Sequence, residues 1–83
     1  MYMTDQDRFN EFVNGGGLKR LMYAFAASQV TPIYNEWLAN RGLQHMQVSR
    51  SRMPWLLKGC DRLEIVGKGS GGSKPNLYWH IVI

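Results

Sequence analysis

The sequence predicts an α+β domain in which helices come first and a β-hairpin comes last. Apolar residues recur with the i, i+3, i+4 spacing of helices as far as Cys60, and the period changes to two from Leu63 onward. The chain has 83 residues, which is enough for one small core. Its single cysteine excludes an internal disulfide and therefore a secreted disulfide scaffold.

The first predicted helix covers Asp5 to Val13. Thr4 can cap it, and two aspartates lie in its first turn, where carboxylates interact favourably with the positive end of the helix. The run Asn14-Gly15-Gly16-Gly17 disfavours further helix by about 1 kcal/mol per glycine relative to alanine. We therefore expect residues 1–17 to form a helical arm with a glycine hinge, which either docks on the domain or makes a homodimer contact. Residues 18–83 would form the domain itself.

The strongest helical pattern runs from Leu18 to Ser28. Its apolar positions follow the i, i+3, i+4, i+7, i+8 spacing and are Leu18, Leu21, Met22, Phe25 and Ala26. A further helix is predicted to begin at Thr31-Pro32, because threonine caps well and proline in the first position loses no needed hydrogen bond. Gly42 suits the left-handed stop that ends such a helix.

A last helix is predicted after the connector 43–48. Ser49 and Ser51 are both possible caps, and Ser51 is favoured because it leaves Pro54 in the first turn, where proline is tolerated. Gly59 indicates that the helix ends by about Cys60. The buried side of this helix is predicted to consist of Met53, Leu56, Leu57 and Cys60.

Two strands are predicted near the C-terminus, at 63–66 and 76–83, because apolar and polar residues alternate there. The ten residues GKGSGGSKPN join them. This segment contains four glycines, two lysines and no apolar side chain, so we expect a flexible, basic hairpin loop.

This order of elements resembles the winged helix-turn-helix family over 18–83. The matching stretches are LKRLMYAFAAS, TPIYNEWLANRG and SRSRMPWLLKG for the three helices, and LEIVGKGSGGSKPNLYWHIVI for the wing. The resemblance implies a three-helix core and a C-terminal β-hairpin wing, preceded here by an extra short N-terminal helix. It also implies a third helix in the major groove of DNA and a wing on the DNA backbone or minor groove.

Two features differ from the family pattern. The connector from Gly42 to Ser49 is longer than the usual tight turn, and Pro54 and Trp55 are unusual in a helix that enters a groove. Both leave open that the third helix docks on protein. Winged helices also serve as adaptors or inhibitors of nucleic-acid machines, which is the alternative function.

The charge distribution favours a polyanionic partner for the second half of the chain. Residues 1–40 contain four acidic and three basic side chains, whereas residues 41–83 contain two acidic and seven basic ones. A solvated basic surface without a partner is the alternative. Arginines and serines at a helix start can contact phosphates, and arginine can also bind guanine bidentately. The predicted DNA-binding residues are Ser49, Arg50, Ser51, Arg52 and Lys58 near the third helix, with Lys68 and Lys74 in the wing.

The sequence gives little support for nucleotide binding, a metal site or catalysis. Gly67, Gly69 and Gly72 form a G-x-G-x-x-G pattern, but Pro75 and a strand follow where a dinucleotide site needs a helix. His45, His80 and Cys60 lack the spacing of metal ligands. We therefore expect no enzyme, no cofactor and no metal.

The partner is predicted to be double-stranded DNA, with no membrane association, in the cytoplasm. The chain would be a small transcriptional or replication regulator. The tryptophans Trp37, Trp55 and Trp79 are each flanked by aliphatic residues, so a core position is predicted for them. An exposed Trp55 that anchors a partner is the alternative.

Overall fold

The computed structural model describes residues 3–21, 24–69 and 76–82. These residues form an α+β arrangement of three helices and a two-stranded antiparallel hairpin. The elements are α1 (Asp5–Asn14), α2 (Ala27–Asn40), a 3₁₀ turn (Gln44–Met46), α3 (Met53–Lys58), β1 (Leu63–Gly69) and β2 (Asn76–Ile81). The layout is consistent with a winged helix. No helix of the described ranges has the length and apolar character needed to span a bilayer.

The N-terminal end of α1 is closed by a capping box. The hydroxyl of Thr4 accepts the Asp7 N–H at 3.1 Å, and the Asp7 carboxylate accepts the Thr4 N–H at 3.3 Å. Two of the four unpaired donors of the helix start are thereby satisfied. The predicted cap is confirmed.

The apolar side of α1 lies in the core of the whole domain. Phe9 and Phe12 are fully buried, and both rings meet the Tyr34 ring of α2 with centroids 5.1 Å apart. Of the two roles left open for the N-terminal segment, docking is the one observed. The core therefore extends across the predicted boundary at residue 17.

The helix predicted over 18–28 is wrong. Residues 18–21 form turns and a bend, Phe25 lies in an isolated β-bridge, Ala26 is extended, and residues 22 and 23 lie outside the described part of the chain. Phe25 instead exchanges two backbone hydrogen bonds with Trp79 of β2, at 2.9 and 2.8 Å. Leu18 and Phe25 are buried as the pattern indicates, but they reach the core from non-helical backbone.

Helix α2 begins at Ala27, five residues before Pro32, its predicted first residue, so Thr31 lies inside the helix and is not its cap. The side chain of Gln29 closes its first turn by accepting the Ala26 N–H at 2.8 Å. Pro32 is therefore inside the helix, on its exposed side, where water can satisfy the carbonyl that its missing N–H leaves unpaired. The predicted stop is confirmed: Gly42 has φ +77°, and the Leu43 N–H donates to the Leu38 carbonyl at 2.8 Å.

Both predicted strands are present, and Trp79 joins them to the rest of the molecule. Trp79 faces Ile65 in the β1–β2 register and pairs with Phe25 on its other edge. The register shifts at a bulge between Ile65 and Gly67, and β1 continues to Gly69, three residues beyond the prediction. The predicted flexible loop lies largely at residues 70–75, outside the described ranges.

Candidate nucleic-acid interface

The connector that leads to α3 is fastened to α2 by one asparagine. The Asn35 amide donates to the Val48 carbonyl at 2.9 Å, and its Oδ1 accepts the Val48 N–H at 2.9 Å. The Gln47 side chain adds a bond to the Asn35 carbonyl at 3.1 Å. The longer connector is therefore held against α2 by hydrogen bonds to Asn35, and these bonds fix the position at which residues 49–52 begin.

Those four residues, 49–52, form a turn before α3 and do not belong to the helix. The Ser49 carbonyl accepts the N–H groups of Arg52 and Met53 at 3.1 and 3.2 Å, while the Ser49 and Ser51 hydroxyls bond each other at 3.0 Å. The prediction that Ser51 caps the helix is wrong, because the cap residue is Arg52 and no side chain fills that role. Pro54 lies in the first turn, as predicted.

Arg50 lies beside the hairpin and is exposed. It lines a groove of about 490 Å³ between the start of α2, the turn and β2. All six acidic residues of the chain lie in the described ranges, and none of them forms an ion pair with Arg50. The remaining lining residues are Ala26, Ala27, Ser28, Ser51, Pro54, Leu77 and Trp79. The structure thus brings the turn and the hairpin together and leaves this guanidinium facing solvent.

Arg52 is held differently. Its guanidinium pairs with Asp5 Oδ2 at 3.3 Å, and the second oxygen of Asp5 pairs with Arg8 at 3.3 Å. The Arg8 side chain is largely buried, whereas the Arg52 side chain is about half exposed, at 57%. Asp5 therefore joins a structural arginine to one predicted to contact DNA, and it draws Arg52 toward α1.

The solvent side of α3 presents an exposed tryptophan. Trp55 is 73% exposed, and the Lys58 ammonium lies 6.0 Å from the centroid of its indole ring. The predicted core position is correct for Trp79, which is 3% exposed, and wrong for Trp55. Helical spacing could have located it: Met53, Leu56, Leu57 and Cys60 occupy one side, and Trp55 falls on the opposite one.

The wing lysines are only partly placed. The backbone of Lys68 lies opposite Leu77 in the register, and Leu77 lines the groove that contains Arg50. Nothing is described of the Lys68 side chain, and Lys74 lies outside the described ranges. Of the seven predicted DNA contacts, the five near α3 are therefore located at the level of side chains.

The remaining titratable groups fit structural roles. Burial raises the pKa of the Cys60 thiol, which keeps it protonated, and burial raises the pKa of Tyr34 to about 12. His80 Nε2 lies 2.9 Å from Glu64 Oε1, its register partner across the hairpin. Over the described ranges, no three His, Cys, Asp or Glu side chains are grouped as a metal site would require.

Comparison of the chain with protein-family models, with curated proteins and with solved structures found no match.

Proposed function

We propose that the chain is a winged-helix protein that binds DNA, as a small cytoplasmic regulator of transcription or replication. The observation that supports this most directly is Arg50, an exposed guanidinium without an acidic partner at the junction of the turn and the hairpin. Arg52 follows at the end of the turn, and Lys58 lies in the last turn of α3. Cations grouped in this way neutralise phosphates and release counterions, which is the main source of affinity in many DNA complexes.

The contacts divide by type. Three of the proposed contacts lie on the turn, namely Ser49, Arg50 and Ser51. Their hydroxyl and guanidinium groups would bind the phosphate backbone and so orient the protein on DNA. Arg52 would reach DNA after it leaves Asp5, an exchange that costs little because exposed ion pairs contribute about 0–1 kcal/mol. Lys58 would add a further phosphate contact from the last turn of α3.

The test is a salt titration of duplex binding. Arg50→Ala with Arg52→Ala should lower affinity and reduce the slope of log K against log salt by about 1.8, near 0.9 for each phosphate that is no longer neutralised. The matched control is Lys19→Ala with Arg20→Ala, which removes the same charge from two exposed residues on another part of the surface. Both doubles should unfold like the wild type within about 1 kcal/mol.

Equal losses of affinity in both double variants would show that only net charge matters, and the proposal would fail. The alternative from the sequence, a protein-interaction module, predicts no binding to duplex DNA even at low salt.

A further inference from the structure

The exposed side of α3 is a tryptophan between two cations. Lys58 follows Trp55 by three residues on α3, which makes them neighbours on the helix surface, and Arg52 lies in the preceding turn, where its carbonyl accepts the Trp55 N–H at 3.1 Å and its guanidinium pairs with Asp5. Trp55 is 73% exposed, although a large apolar ring in water is unfavourable. A ring left exposed at the centre of a basic surface indicates a contact made with a partner.

This surface is poorly equipped to distinguish base edges. Base pairs are discriminated in the major groove by side chains that pair donors and acceptors with the edges, such as Arg, Asn and Gln. On this surface Lys58 is a point charge, the Arg52 guanidinium is engaged by Asp5, and indole offers one donor and no acceptor. Trp55 instead offers a large aromatic surface, and the flat face of a nucleic-acid base can stack on such a surface.

The surroundings of Trp55 favour nucleic acid over protein. The other large apolar residues of α3, namely Met53, Leu56 and Leu57, are buried, so Trp55 has no apolar patch around it on this helix. Protein interfaces are depleted of charge at their centre, whereas the neighbours of Trp55 on this face are charged. An aromatic ring with flanking cations is instead the arrangement that binds unpaired bases together with their phosphates.

We propose that Trp55 stacks on an unpaired base beside a duplex segment, while Arg50, Arg52 and Lys58 contact the adjoining phosphates. This inference rests on the proposed function and narrows it. In a continuous duplex every base face is covered by its neighbours, so the DNA that fits this surface has a bulged, frayed or forked position.

The test compares three labelled DNAs with equal numbers of phosphates: a fully paired hairpin, the same hairpin with one bulged base, and a single strand. The full chain should bind the bulged hairpin about 5- to 150-fold more tightly than the paired one, the range equivalent to one base–aromatic stack. Trp55→Phe should keep most of this preference, because it keeps a ring. Trp55→Leu should abolish the preference while leaving affinity for the paired hairpin unchanged.

A spectroscopic measurement checks that stacking is the cause. The bulged hairpin should quench tryptophan fluorescence in the wild type, and the quenching should be absent in Trp55→Leu, although Trp37 and Trp79 remain. Val66→Ala, which removes part of another exposed apolar side chain, on β1, is the control and should change neither preference nor quenching. Thermal unfolding should be unaltered in all three variants.

Equal affinity for paired and bulged hairpins, with reduced binding to both in the Arg50→Ala, Arg52→Ala double variant, would overturn this inference and leave the proposed function standing. Tighter binding to the single strand than to the bulged hairpin would overturn the duplex part of the inference. Absence of binding to all three DNAs at low salt would overturn both proposals and assign Trp55 to a protein partner.

Discussion

Replacing Phe9 by alanine tests whether α1 is part of the core or an appended arm. The Phe9 side chain is fully buried, and its ring meets Phe12 at a centroid distance of 5.9 Å and Tyr34 edge-on at 5.1 Å. The sequence alone predicts that residues from Leu18 onward fold without the arm. The structure predicts the opposite, because removing α1 would expose Tyr34 and empty the centre of the core.

The size of the effect follows from burial and packing. Replacing a buried phenylalanine by alanine lowers the free energy of unfolding by about 3–5 kcal/mol, because apolar burial is lost and a cavity is left behind. Domains of this size are stable by about 5–15 kcal/mol in total, so the variant would lose at least about a fifth of that margin. At about 4–8 °C per kcal/mol, the melting temperature should fall by at least about 12 °C.

The measurement is denaturant unfolding followed by circular dichroism, together with a thermal melt. Met3→Ala is the matched control, because Met3 belongs to the same N-terminal segment but is 43% exposed, and it should stay within about 0.5 kcal/mol of the wild type. A destabilisation below about 1 kcal/mol for Phe9→Ala would contradict a core role for α1. So would a fragment of residues 18–83 that melts cooperatively at the wild-type temperature.

Four further changes have defined outcomes. Gly17→Ala should cost about 1–3 kcal/mol in a melt, because its methyl group would overlap the buried Phe12 ring. Asn35→Ala should lower the free energy of unfolding by about 1–3 kcal/mol and weaken DNA binding, because the N–H and carbonyl of Val48 lose their partners. Unaltered binding would show that the connector keeps its position without these hydrogen bonds. Asp5→Asn should raise duplex affinity by up to about fivefold in a low-salt titration, and lower affinity would show that Asp5 orients its arginine instead. The free energy of unfolding should fall as pH rises from 10 through 12, because the exposed Tyr34 phenol of the unfolded state ionises first; the decrease should be smaller in Tyr34→Phe.

The elements predicted correctly are those determined by local interactions. Thr4 and Asp7 form their capping box within one turn, and Gly42 takes a conformation that its own lack of a side chain permits. The two strands likewise follow from a period of two and the turn residues between them. The cap and the stop are decided by contacts within a few residues, and each strand is indicated by the pattern of its own segment, although the pairing joins distant residues such as Leu63 and Ile81.

The helix predicted over 18–28 failed because a distant contact outweighed local periodicity. Phe25 pairs with Trp79, and this pairing requires extended backbone at the point where the apolar spacing indicates a helix. Leu18 and Phe25 were correctly assigned to the core, but helical spacing and burial are separate properties. With residues 18–21 and 24–26 non-helical, α1 packs with α2 and α3 in the core, a position that the apolar spacing assigns to 18–28.

The candidate site was likewise predictable only in part. Its residue types could be identified from the sequence, and the exposure of Trp55 follows from the buried positions around it in α3. The ion pair between Arg52 and Asp5 could not be predicted, because it joins residues 47 positions apart. The turn at 49–52 could not be predicted either, because it depends on the hydrogen bonds between Asn35 and Val48. It also takes the place of the serine cap that local preference favours.

The geometry links stability to recognition through two attachments. The turn that contains Arg50 is fixed at its start by Asn35 of α2, and Arg52 at its end is tied to Asp5 of α1. Both helices are held by the shared aromatic core around Tyr34. A core substitution that leaves the protein folded but lets α1 shift should therefore alter the position of Arg52 without changing any surface charge. Because Arg52 reaches DNA only after it leaves Asp5, a shift of α1 that weakens this pair should not lower affinity for DNA, whereas Arg52→Ala should lower both the affinity and the salt slope.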